Sequence, residues 1–167
     1  MCEILSGLAS VCDDAGGIQT WYAVSTKEIA STTVVGGLVT SITMNAGKFA
    51  YPFNVEMETS NFTDKAIGER ANSAYAREQA ATIKVSGNTA EMIVAIEDMC
   101  KDRVTLFVKL NDGSMEVAFL ENGAKLSDER DTGTAFEDFN GNTLTAAGKE
   151  KSKAPKIGES LVLALLP

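Results

Sequence analysis

The spacing of apolar residues changes period along the chain, and each change predicts an element. Phe49, Tyr51, Phe53, Val55 and Met57 alternate with Ala50, Pro52, Asn54, Glu56 and Glu58. A period of two places the first set on one face of a strand over 49–59 and the acidic set on the other, toward solvent or the lumen of an assembly. Pro52 favours an edge position or a bulge. Tyr75, Arg77, Gln79, Ala81, Ile83 and Val85 share one side of a second strand over 75–85. The polar stretch 60–73 reads as a loop between them. Residues 49–87 therefore predict an extended hairpin with a large polar tip, either a flexible surface loop or an arm that pairs with neighbouring subunits, the apolar face favouring the arm. The period then lengthens. Met92, Ile93, Ile96, Met99 and Cys100 recur at spacings of three and four and form the stripe of a helix over 89–101. Asn88 is the expected N-cap, with Glu91 as its capping-box partner.

Shorter apolar runs predict further strands over Ile18–Ser25, Leu38–Met44, Val104–Leu110, Met115–Leu120, Leu144–Gly148 and Ile157–Leu166. Leu38, Thr40, Ile42 and Met44 are expected on one face. Thr26–Ile29 suggests a short helical turn. Gly36-Gly37, Asn45-Ala46-Gly47, Asn111-Asp112-Gly113, Glu121-Asn122-Gly123 and Asn140-Gly141 punctuate these runs as turns. Strands and tight turns without regular crossover helices argue for a mainly β protein with one flanking α-helix, its body an antiparallel β-sandwich or barrel. One domain over 1–167 is expected. Residues 1–15, with Ile4, Leu5, Leu8 and Val11, read as an N-terminal docking segment.

Composition narrows the chemistry. The 167 residues are 44% hydrophobic and carry 15 basic against 23 acidic side chains, a net charge of −8. That balance argues against a broadly basic nucleic-acid surface; ordinary solubility is the favoured reading of it, ahead of the lining of a conduit past which DNA slides. No histidine is present, which removes the usual near-neutral general base and the commonest zinc ligand. Cys2, Cys12 and Cys100 are scattered and read as reduced thiols, with Cys100 buried. No stretch is long and apolar enough to span a membrane, and the N-terminus is a poor secretion signal. Asp128, Glu129, Asp131, Glu137 and Asp138 form the densest acidic region. Their spacing does not match a calcium loop, and a solvated loop or intersubunit contact is the favoured reading. Gly16-Gly17 and Gly36-Gly37 lack phosphate-loop spacing. Lys149, Lys151, Lys153 and Lys156 form a basic patch that Glu150 and Glu159 dilute. No catalytic residue, cofactor or metal is assigned.

The order of several motifs carries a resemblance. Gly16-Gly17-Ile18-Gln19-Thr20-Trp21-Tyr22 is followed by Gly37-Leu38-Val39-Thr40-Ser41-Ile42-Thr43-Met44. Thr134-Ala135-Phe136-Glu137-Asp138-Phe139-Asn140-Gly141-Asn142-Thr143-Leu144-Thr145 and Gly148-Lys149-Glu150-Lys151-Ser152-Lys153-Ala154-Pro155 come later. Over roughly residues 16–158 the chain resembles tail-tube-like virion proteins of phages and prophages of Bacteroidetes-like hosts. The resemblance implies a structural, non-enzymatic protein that forms a homohexameric ring, with stacked rings making a passage for DNA without tight binding. It implies lumen-facing roles for Glu56 and Glu58. It also implies assembly-arm roles for Phe49, Tyr51, Phe53, Asn61, Phe62, Thr63 and Tyr75, with the 60–73 loop contacting an adjacent ring. Other phage tail or connector proteins would be partners, no membrane would be involved, and the protein would reside in the virion after assembly in the host cytoplasm.

The same features suit a capsid decoration protein, a tail terminator or a connector. A small metal-assisted hydrolase instead predicts converging carboxylates among Glu56, Glu58, Asp128, Asp131 and Asp138. A binding module predicts an exposed aromatic groove on a stable monomer.

Overall fold

A computed structural model describes residues 16–53, 55, 58–68 and 74–167. The fold is mainly β, as the spacing predicts. The strands are β1 (Ile18–Ser25), β2 (Ile29–Val35), β3 (Leu38–Met44), β4 (Tyr51–Phe53), β5 (Asn61–Ile67) and β6 (Ala76–Ser86). Helix α1 (Ala90–Lys101) separates these from β7 (Arg103–Leu110), β8 (Met115–Ala118), β9 (Ala124–Asp131), β10 (Gly141–Glu150) and β11 (Lys156–Ile157). A short helix, α2 (Glu159–Leu163), follows.

All strands belong to one sheet, which branches at β7. One side of β7 pairs with β1, and β4 lies beyond it. The other side splits. Its C-terminal half pairs with β8, which leads through β11 and β3 to β2. Its N-terminal end pairs with β9, which leads through β10 and β6 to β5. The sheet is open rather than a closed barrel. It is also mixed, because β11 runs parallel to β3 while the other pairs are antiparallel.

The branch is held by strands buried on both faces. Trp21, Ala23, Leu106 and Val108 enter one core, which also takes Ile83, Leu144 and Ile96. Tyr22, Val24 and Phe107 enter a second core with Val39, Val117, Ile157 and Val162. A near-continuous apolar run, as in Val104–Val108, is what a two-sided strand requires. Fully burying a side chain such as Leu106 or Phe107 stabilises the fold by about 2–3 kcal/mol.

Several expectations are corrected. Among the described residues of 49–59 only β4 is strand, and it pairs with β1 rather than with β6. The partners of β6 are β10 and, on its other side, β5, which forms from part of the stretch that reads as a polar loop. The cap of α1 is Thr89, whose hydroxyl accepts from the Met92 amide at 3.3 Å, not Asn88. Residues 157–166 do not make a strand. Only Lys156–Ile157 pair, and Gly158 then leads into α2. Strands β2 and β9 carry no clean alternation in the sequence and emerge only in the fold. Gly36 and Gly37 make the two-residue turn between β2 and β3. Both have positive φ, +58° and +81°, the combination a tight type I′ hairpin needs.

Candidate assembly interface

The arm candidates divide between two places. Phe49, Tyr51 and Phe53 converge with Ala95 and Met99 of α1 on a groove of about 460 Å³. Tyr51 is 57% exposed and Phe49 is also exposed, whereas Phe53 packs partly against the first core. The rim is polar. Asp102 accepts from Lys27 Nζ at 2.6 Å and from the Ser25 hydroxyl at 2.7 Å. Lys27, then the Ser25 hydroxyl, hold the Asp102 carboxyl down to about 2. Lys48 faces Glu28 at 3.6 Å on the same rim.

Asn61, Phe62 and Thr63 lie instead on β5, at one end of the sheet path. The Phe62 ring turns inward and meets Phe119 edge-on, with centroids 6.2 Å apart. Asn61 and Thr63 face out. Tyr75 is exposed, and its hydroxyl accepts from Arg77 Nη1 at 3.0 Å. Glu58 sits in a turn with φ +62°, so it is not half of a same-face strand pair. Glu56 lies outside the described residues, as do Cys2, Cys12 and the segment 1–15.

At the other end of the path lies β2. Among the described residues its outer edge, like that of β5, pairs with no strand. No Asp, Glu, Lys or Arg occurs between Glu28 and Lys48, although most of the β2–β3 hairpin is exposed. Val35 is 63% exposed, and Val34 and Leu38 are also open. Exposed edges are usually protected by charge, proline or bulges. Here a bulge between Thr33 and Val34 is present, but charge is not. The uncharged run was legible in the sequence, but its meaning depends on β2 being an edge strand.

The acidic region has structural work in its own loop. Asp138 Oδ2 accepts from the Thr134 and Ala135 amides, both at 2.7 Å, and Asp131 Oδ1 accepts from the Gly133 amide at 2.9 Å. These amide bonds hold the Asp138 carboxyl below its ordinary range. Asp128 lies 3.7 Å from the half-buried Cys100 thiol, whose pKa is raised by burial first and by Asp128 second. Among the described residues no group of three or more Cys, Asp or Glu side chains is placed to hold a metal ion. No described helix is long and apolar enough to cross a membrane.

Neither family models, curated proteins nor solved structures give a significant match to this chain.

Proposed function

We propose that this chain is a structural virion protein that closes into a homo-oligomeric ring, with stacked rings forming a passage for phage DNA. The observation that carries the reading is the pair of open edges, β2 and β5, at opposite ends of one sheet path. Two unlike edges favour head-to-tail association, in which each copy gives β2 to one neighbour and β5 to the other. Such a contact closes into a ring when the rotation between copies closes. Both strands are seven residues long, so the added pairing is matched in length. An uncharged β2 removes the electrostatic barrier that would keep edges apart. The net charge of −8 suits a passage that does not hold phosphate, with Glu56 and Glu58 as its lumen candidates. The ring symmetry in this reading is sixfold, and other tail or connector proteins cap the assembly.

Negative-stain electron microscopy and light scattering at two protein concentrations test the reading. Rings or stacked tubes are expected from the native chain, and folded protein without rings from Thr33→Lys/Val35→Lys. Rings that never stack would favour a terminator or connector. A persistent monomer with neither ring nor filament at high concentration would overturn the proposal.

A further inference from the structure

The loop between β9 and β10 ends in a feature the edge pairing does not use. Phe136 is fully exposed at its tip. The tip is not a loose segment. Asp138 ties the Thr134 and Ala135 amides, and the Asp138 amide returns to the Ala135 carbonyl at 3.2 Å. At its base Arg130 donates to the Gly141 carbonyl at 2.8 Å, to Asn140 Oδ1 at 2.6 Å and to the Asp131 carbonyl. A bare aromatic ring on a knit tip is placed to act as an anchor. It loses little conformational freedom when buried, and aromatic residues dominate interface energetics.

The same chain carries a receptor of matching character. The groove beside α1 is lined by Phe49, Tyr51, Phe53, Ala95 and Met99, with the charged Lys27–Asp102 pair on its rim. An apolar floor with a polar rim is the anatomy of an interface pocket. A cavity of about 150 Å³ accepts a benzene ring. The groove, about 460 Å³, has room for a phenylalanine ring and part of the turn that bears it.

Phe136 cannot reach its own groove. Ala124, at the start of β9, pairs with Val104, a groove residue. From there β9 carries the chain about 25 Å away before the loop begins. Helix α1 reports the same polarity, since its C-terminal half borders the groove while Asn140, at the loop's end, accepts from the Gly87 amide just before the helix. We infer that Phe136 of one copy seats in the groove between β4 and α1 of a second copy, an end-to-end contact along the strand direction. Edge pairing runs across the strands, so the two contacts act in independent directions. A stack of rings needs one of each. The end-to-end contact also stands without the ring.

A complementation experiment tests it in the full-length Thr33→Lys/Val35→Lys background, where edge pairing is blocked. With Phe136 and the groove intact, this protein is expected to form concentration-dependent linear oligomers. Adding Phe136→Ser removes the anchor, and adding Ala95→Arg fills the groove from an exposed helix position. Each change should weaken self-association roughly thirtyfold, the loss typical of a truncated anchor. Circular dichroism should be unaltered, because both positions are exposed. Mixed one to one, the two variants retain one good anchor and one open groove between them. Sedimentation should then show a heterodimer that neither forms alone. Oligomers unaffected by Phe136→Ser, a mixture that stays monomeric, or a background protein that never associates would overturn the inference. Heterodimers from the mixture, with no ring from the native chain, would sustain the inference and remove the tube.

Discussion

Arg77 Nε donates to Asp64 Oδ1 at 2.6 Å, joining β6 to the edge strand β5 through side chains only 13% and 8% exposed. Asp64 also receives the Ala154 amide on its second oxygen at 2.9 Å, so one carboxylate holds β5, β6 and the turn before β11. Removing one member of this part-buried pair leaves the other charge without its counter-charge, though Arg77 keeps the Tyr75 hydroxyl and the residue-64 carbonyl. Asp64→Ala is expected to cost about 1.5–3 kcal/mol in urea unfolding. Asp64→Ala/Arg77→Ala should cost less than the two single changes added together. The β5 amides should exchange faster in Asp64→Ala while those of β7 do not.

Gln79 is buried on the same strand, and its Oε1 accepts from the Phe119 amide at 2.7 Å. Phe119 has φ +60°, so its amide is turned out of the regular ladder and relies on that side chain. Gln79→Leu keeps much of the volume and strands the donor. A loss of about 1–3 kcal/mol is expected in thermal or urea unfolding.

Two isoleucines one turn apart on α1 separate brace from surface. Ile96 is 7% exposed and belongs to the first core, whereas Ile93 is 49% exposed. Ile96→Ala should cost about 2–4 kcal/mol. Ile93→Ala should stay within about 0.5 kcal/mol. Ile96→Asp should lose assembly by damaging the subunit itself, visible as lost near-ultraviolet dichroism.

Asp102 makes stability depend on acid in a defined window. Its folded pKa, about 2, lies below the ordinary 3.8, so its contribution is complete above 3.8 and is lost as pH falls through about 2. Solvent screens the exposed Lys27 partner, which reduces the effect to about 1 kcal/mol. Asp102→Asn should therefore be destabilised by that amount at pH 7. The difference from the native chain should close between about pH 4 and pH 2.

Local pattern was enough for much of the fold. Ile18–Ser25 and Leu38–Met44 form the strands their spacing predicts, and the inward face of β6 carries Gln79, Ala81, Ile83 and Val85 as the alternation requires. Most of the α1 stripe was equally legible, because a period of three to four is written in neighbouring residues, and Met92, Ile96, Met99 and Cys100 pack on the first core; Ile93, expected in the stripe, is exposed. Pairing was not. Asn61–Ile67 is polar enough to read as a loop, yet it becomes β5, where its edge position leaves Thr63 and Lys65 in solvent and Arg77 neutralises Asp64. The Leu-rich ending reads as a strand, but Val162 and Leu165 reach the second core from a short helix and the turn after it. Phe49, Tyr51 and Phe53 were identified as one set by alternation alone. Their groove exists because β4 pairs with β1 beside the end of α1. In β6 and most of α1 sequence periodicity determined which residues turn inward, since side-chain direction is a local property of the backbone, whereas in β3 a register shift leaves Val39 buried and Leu38 exposed. Which strand lies beside which, and hence where the open edges, the groove and the Phe136 tip fall, was decided by contacts between residues far apart in the chain, which no local period encodes.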